Sequence, residues 1–285
     1  MTKDISALIE AKMPTLSKGQ RRISSVIMQS YEKAAYMTAA KLGELAGVSE
    51  STVVRFATEL GFEGYPEFQH AVQELVRSRL TPNQRIEMTN LRIGDGDLLS
   101  NVMRSDMEKI KITLEKIDRE SFDGAVNALI NAKQIYIFGV RSSSYLASFL
   151  HFNLGMIFEN VKLIEATGTS EVFEQTLNIS EGDVMLAISF PRYSSRAVSA
   201  VKYARDRGAD VIALTDSKSS PIAPYANQLL TAQSDMASYV DSLVAPLSII
   251  NAMLVKITKL KQDEVKERFD RLERIWEEYD VYAKQ

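Results

Sequence analysis

The chain has 285 residues, 45% of them hydrophobic and 25% charged, with a net charge of −3. That is the balance of a folded chain with room for two domains, and it excludes wholesale disorder. The absence of cysteine excludes disulfide frameworks and thiolate-held zinc or iron–sulfur sites. No apolar run is long enough to span a bilayer, and MTKDISALIEAKMPTLSKGQ lacks the apolar core of a signal peptide, so a cytoplasmic protein without membrane contact is expected.

Charge is spread evenly. Residues 1–80 hold ten Lys/Arg against nine Asp/Glu, and the remainder holds 24 against 28. Any nucleic-acid contact therefore has to come from one local surface.

Up to about Leu80 the segments are short and helical. Ser17 and Gln20 have the spacing of a capping box, ahead of Ile23, Val26, Ile27 and Tyr31 at helical spacing. Thr38 is placed to cap a helix holding Leu42 and Leu45, and Ser49 to cap one holding Val53, Phe56, Ala57 and Leu60, with Gly61 as its left-handed end. A fourth stripe runs Phe68, Val72, Leu75, Val76. Thr81 to Asp97 (TPNQRIEMTNLRIGDGD) reads as a linker. A long helix follows, with Leu98, Val102, Met103, Met107, Ile110 and Leu114 on one face.

From Gln134 the runs IYIFGV, VKLIE, DVMLAISF and DVIALTD alternate with helical patterns, and QLLTA is a weaker fifth candidate. Continuous apolar strands alternating with helices predict a parallel sheet covered on both faces. At the end, Val265, Phe269, Leu272, Trp276 and Tyr279 form a short heptad-like seam, expected to dock on this chain or its twin.

Two segments carry chemistry. Ala39 to Thr58, AAKLGELAGVSESTVVRFAT, fits a helix-turn-helix, with Gly43 as the small contact between helices and Gly47 in the turn. Leu42, Val48, Val53 and Phe56 take the buried offsets. That leaves Ser49, Glu50, Ser51, Thr52, Val54 and Arg55 toward a major groove, with Lys41, Lys18, Arg21 and Arg22 for phosphates. The other segment is a pair of strand exits, IYIFGV into RSSSYLASFL and MLAISF into PRYSSRAV. Each delivers a hydroxyl cluster to a helix N-terminus, where an anion is favoured. For one serine alone, helix capping by Ser142 or Ser194 is the better account, and it is the pair of clusters at strand ends of one sheet that brings a ligand site level with it.

Taken together, the chain resembles the RpiR type of bacterial transcription regulator, and GVSESTVVRFATELGFEGYPEF is the most specific stretch of that resemblance. The resemblance implies an all-helical helix-turn-helix domain over 1–80, a linker over 81–97, and a three-layer α/β/α sugar-isomerase-type (SIS) domain over 98–285 with a parallel sheet of about five strands. It implies a homodimer or homotetramer that binds a double-stranded DNA operator and senses a small metabolite of carbohydrate metabolism, typically a phosphosugar; Arg141 and Arg192 widen that to a small anion, phosphosugar or sugar acid.

SIS phosphate sites follow G-[ST]-S and S-x-S-G-x-T. Here Ser142, Ser143, Ser189 and Ser194 match the hydroxyls, Pro191 replaces the middle serine, and Arg141 and Arg192 replace the two glycines. The expected effector residues are therefore Arg141, Ser142, Ser143, Ser189, Arg192 and Ser194. The arginines convert a backbone cradle into a side-chain clamp suited to carboxylate or phosphate. An isomerase needs a base. His70 lies outside the SIS domain, His151 is mid-helix, and Glu171 and Glu174 have no evident partner acid. No catalytic residue, cofactor or metal ligand is therefore assigned. A phosphosugar isomerase and a ligand-sensing protein-interaction module stay as alternatives.

Overall fold

The computed structural model describes residues 5–282 apart from 30, 80, 82, 87, 88, 90–95, 166, 167, 236 and 237. The side chains of His70 and Leu75, and much of the expected linker, lie outside the described residues. The chain divides into two compact units, Met1–Gln84 and Arg85–Gln285.

The first unit is helical: α1 Ile5–Lys12, α2 Lys18–Gln29, α3 Tyr31–Ala34, α4 Ala39–Ala46, α5 Glu50–Glu59 and α6 Tyr65–Arg79. Local side-chain chemistry sets the boundaries. The Ser17 N–H donates to Gln20 Oε1 at 2.9 Å and the Gln20 N–H to Ser17 Oγ at 3.3 Å, a closed capping box. Thr38 and Ser49 cap α4 and α5 by accepting from the Lys41 and Thr52 N–H groups. Gly47 (φ 62°) and Gly61 (φ 88°) take the left-handed conformations that end those helices. The core gathers Ile23, Ile27, Leu42, Val53, Phe56 and Phe68, all at most 2% exposed. Tyr65 ties α6 to the loop before α4 by donating to the Met37 carbonyl at 2.7 Å, and burial pushes its phenol up to about 12. Leu45, on the same helix as buried Leu42, is 52% exposed.

In the second unit α7 (Leu98–Lys116) and α8 (Arg119–Asn131) precede β1 Ile135–Gly139, α9 Ser142–Gly155, β2 Val161–Ile164, α10 Thr169–Gln175, β3 Val184–Ile188, α11 Ser195–Asp206, β4 Asp210–Thr215 and β5 Gln228–Thr231. Two helices close the chain, α12 Val244–Leu260 and α13 Gln262–Glu278. All five expected strands form one parallel sheet in the order β2-β1-β3-β4-β5. Alternate strand residues feed opposite faces. Ile135, Ile137, Leu186 and Ile212 meet α8, α9 and α12, while Tyr136, Phe138, Met185 and Val211 meet α10 and α11. That gives three layers.

The apolar stripes of two helices are only partly buried within this chain. The stripe on α7 faces away from the sheet: Leu98, Leu99, Met103, Met107 and Leu114 are 58–72% exposed. The side that docks is polar instead. Thr113 Oγ1 accepts the Gln233 N–H at 2.9 Å, Asp106 Oδ1 accepts from Ser242 Oγ at 2.7 Å, and Lys109 is buried, paired with Asp106 at 3.2 Å. On α13 only Val265 of the heptad-like seam is buried, while Phe269, Leu272 and Trp276 are half-buried and Tyr279 is 72% exposed. Arg268 holds the helix to Glu159 at 3.0 Å and to the Gly155 carbonyl at 3.3 Å. Arg85, from the segment expected to be a linker, is buried in the second unit and ion-paired with Asp241 at 2.9 Å.

Candidate functional site

In the first unit α4 and α5 meet closely because Gly43 lets them. A Cβ there would stand 2.8 Å from the Val48 carbonyl oxygen. Gly19 allows the same approach of α2, since its Cβ would be 3.2 Å from Val48 Cγ1. With Val53, Phe56 and Ala57 facing inward, α5 presents Ser51, Val54, Arg55 and Thr58, all exposed, at i, i+3, i+4 and i+7. This stripe suits a major groove: hydroxyls and a guanidinium for base edges or phosphates, and a valine for a thymine methyl.

At the start of the helix Ser49 Oγ lies 2.9 Å from Ser51 Oγ and 2.8 Å from Thr52 Oγ1, beside exposed Glu50. Arg55 Nε donates to the Ser51 carbonyl at 3.3 Å, which sets the guanidinium along the exposed side. Lys41 pairs with Glu44 at 2.8 Å on the surface, a contact of ~0–1 kcal/mol that does not compete with phosphate binding. Arg21 is committed elsewhere, donating to the Leu16 and Pro14 carbonyls at 3.0 and 3.1 Å. Lys18 and Arg22 are exposed.

In the second unit the chain reverses between β1 and β3, so the carboxyl ends of these neighbouring strands flank the crevice where such sheets hold ligands. Gly139 pairs with Ile188 at the last rung. Glycine is required there because a Cβ would stand 2.4 Å from the Ser143 carbonyl oxygen of α9. The chain then turns through Arg141, with φ 58° and ψ −127°, closed by the Ser143 N–H donating to the Val140 carbonyl at 3.2 Å. Those angles belong to the first central residue of a type II′ turn, a glycine position. Arg192, at the other replaced glycine, also has positive φ, 67°. Both loops therefore keep the backbone of a glycine while carrying an arginine, at a cost of ~1–3 kcal/mol each.

The serines divide in role. Ser194 is the N-cap of α11 and accepts the Arg196 N–H at 3.2 Å. Ser142 does not cap: Arg141 holds the cap position of α9 and gives it no side-chain hydrogen bond. Ser143 and Ser189 are buried, each 4% exposed. Among the described residues neither Arg141 nor Arg192 has a salt-bridge partner. Tyr193 donates to Asp216 at 2.8 Å and helps fix the β3 exit.

A cavity of about 320 Å³ opens at the exits of β1 and β2. Of the expected residues it includes Arg141 alone. Ser144, Ser148, Glu165 and Arg196 complete its polar wall, and none of these was expected from the sequence. Glu171, considered as a base, accepts the Gly168 N–H at 3.3 Å, and His151 is a half-buried residue in the second half of α9. No described helix is long and apolar enough to cross a membrane.

A helix-turn-helix unit with an exposed face of hydroxyls and an arginine on α5, joined to a sugar-isomerase-type α/β domain, defines a transcriptional regulator of the helix-turn-helix class. Residues 3–78 match the family of rpiR helix-turn-helix domains and residues 128–256 match the SIS domain, and the chain belongs to the RpiR family of transcriptional regulators. It is 28% identical over 264 residues to the HTH-type transcriptional regulator HexR of Escherichia coli (strain K12), covering 88% of this chain and 86% of that protein. The sugar isomerase domain of an RpiR transcription factor from Sphaerobacter thermophilus superposes with a TM-score of 0.59 at 26% identity, over 61% of this chain and 97% of that one. Vibrio vulnificus NanR, solved in complex with ManNAc-6P, superposes with a TM-score of 0.62 at 20% identity, over 99% of this chain and 100% of that one.

Proposed function

We propose that this regulator is a non-enzymatic, cytoplasmic sensor whose SIS domain binds a small anionic sugar derivative, a phosphosugar or sugar acid, and thereby alters binding of a DNA operator by α5. One observation carries the effector site. At the switch point of the sheet, two arginines without salt-bridge partners among the described residues occupy strained, glycine-like backbone positions. Strain of that kind persists where the surrounding structure and the function require it. Arg141 and Arg192 clamp the anion, while Ser142, Ser143, Ser189 and Ser194 line the two turns around it. ManNAc-6P in the NanR structure supports a phosphorylated sugar as one member of this class.

DNA contact is assigned to Lys41, Ser49, Glu50, Ser51, Thr52 and Arg55. Operators of helix-turn-helix proteins are read by two-fold pairs, so the partner for the apolar face of α7 is a second copy of this chain, in a homodimer or a tetramer built from it. Along that face Leu99, Met103, Met107, Ile110 and Leu114 recur at three- and four-residue intervals, the spacing of a helix seam that packs on its own copy.

Thermal-shift titration with glucose 6-phosphate, gluconate and inorganic phosphate tests the site. Wild type gains stability with the bound anion, and Arg141→Ala or Arg192→Ala loses most of that gain. Undiminished gain in both variants removes the clamp.

A further inference from the structure

The cavity at the β1 and β2 exits has an uneven distribution of donors and acceptors. Ser144 Oγ donates to the Arg141 carbonyl at 2.6 Å, and Ser148 Oγ donates to the Ser144 carbonyl at 2.9 Å. A carbonyl can only accept, so each hydroxyl has committed its single proton to the backbone and offers the cavity lone pairs alone. Glu165 adds a carboxylate, also an acceptor only. Its backbone is pinned on both sides by Gln175: the Glu165 N–H donates to Gln175 Oε1 at 3.1 Å, and Gln175 Nε2 donates to the Glu165 carbonyl at 2.6 Å. The side-chain donors of the cavity are the guanidinium groups of Arg141 and Arg196.

A bare phosphate or carboxylate is complementary to the arginines and repelled by the three acceptors. A ligand that fills the whole space needs an anion at one end and hydrogen-bond donors at the other. At about 320 Å³ the cavity lies within the ~300–1,000 Å³ range of small-molecule sites.

We infer that Ser144, Ser148 and Glu165 form a hydroxyl-selecting wall, so that the ligand is a polyhydroxylated anion with its charge at Arg141 and its hydroxyl-bearing carbons toward Glu165. This rests on the reading of Arg141 as part of the effector site and extends that site toward β2. Glu165 is a specificity-determining acceptor, and no bond to the ligand is made or broken.

The test is isothermal titration of the full-length protein with gluconate, glucose 6-phosphate and inorganic phosphate. It compares wild type, Glu165→Ala, Ser148→Ala and Arg141→Ala. Losing a hydrogen bond to a charged group corresponds to roughly tenfold in affinity. Glu165→Ala is therefore expected to weaken the polyhydroxylated ligand that binds by about tenfold and Ser148→Ala by about threefold, with inorganic phosphate unchanged or bound more tightly. Arg141→Ala weakens all three. Glu165 and Ser148 are exposed, and unchanged unfolding midpoints of the ligand-free variants confirm that folding is not what is read.

If Glu165→Ala leaves the polyol anion unchanged, or weakens phosphate equally, the selecting wall is wrong while the arginine site stands. If Arg141→Ala weakens nothing, the effector site itself falls. Failure of both polyhydroxylated probes on wild type overturns the inference, as does conversion of glucose 6-phosphate into a ketose.

Discussion

Arg141 and Arg192 stand where a sheet loop ordinarily needs glycine, and their backbones have not relaxed away from the glycine conformation. If they clamp the effector as proposed, stability and binding pull in opposite directions at these residues. Arg141→Gly is expected to raise stability by about 1 kcal/mol, by release of backbone strain, while weakening effector binding at least fivefold. Urea denaturation measured alongside ligand titration separates the two effects. Gly43 has the reverse character: its missing Cβ leaves room for the Val48 carbonyl, so Gly43→Ala costs about 2 kcal/mol by overpacking and abolishes DNA binding, read from a melting curve and a mobility shift.

Thr38, Ser49, Gly43 and Gly47 were legible because caps and tight turns depend on chemistry three or four residues away. The capping alternative for Ser142 fails because the turn at Arg141 decides where α9 begins. Ser144, Ser148, Glu165 and Arg196 were not found at all. They meet in a cavity only because β1, β2, α9 and α11 converge, and nothing in local spacing announces that. The one available signal was an acid at the carboxyl end of an apolar strand, Glu165.

Among the elements, the five strands were readable because a strand buried on both faces is apolar throughout, and Ile135–Gly139 and Val184–Ile188 are buried at every position. For α7, periodicity gave the apolar stripe and not its direction, since a stripe that meets a second chain has the same pattern as one that meets the core. The helix docks through Thr113, Asp106 and Lys109, which leaves Leu99, Met103, Met107 and Leu114 outward. The double variant Met103→Glu/Met107→Glu is accordingly expected to keep its circular dichroism spectrum and unit fold while sedimenting as a monomer. An unchanged sedimentation coefficient would move the dimer interface elsewhere, with the half-buried face of α13 as the next place to test.

For the molecule as a whole, two copies paired through their second units would present two α5 helices to successive major grooves, ~34 Å apart on one face of the duplex. An effector regulates such a dimer only if it binds the free and DNA-bound arrangements with different affinity, and the coupling is reciprocal. With the proposed contacts, DNA affinity is also expected to fall steeply with salt, because Arg55 and Lys41 would displace counterions from phosphates.

The most direct measurement is fluorescence anisotropy of a duplex from the region upstream of the protein's own gene, titrated with the protein at two salt concentrations. Each titration is run with and without the anion that thermal shift selects. The expected result is salt-dependent binding whose apparent Kd changes at least fivefold with that anion in the wild type and not in Arg141→Ala. Binding that is equally tight with and without the anion, at every salt concentration, would contradict it.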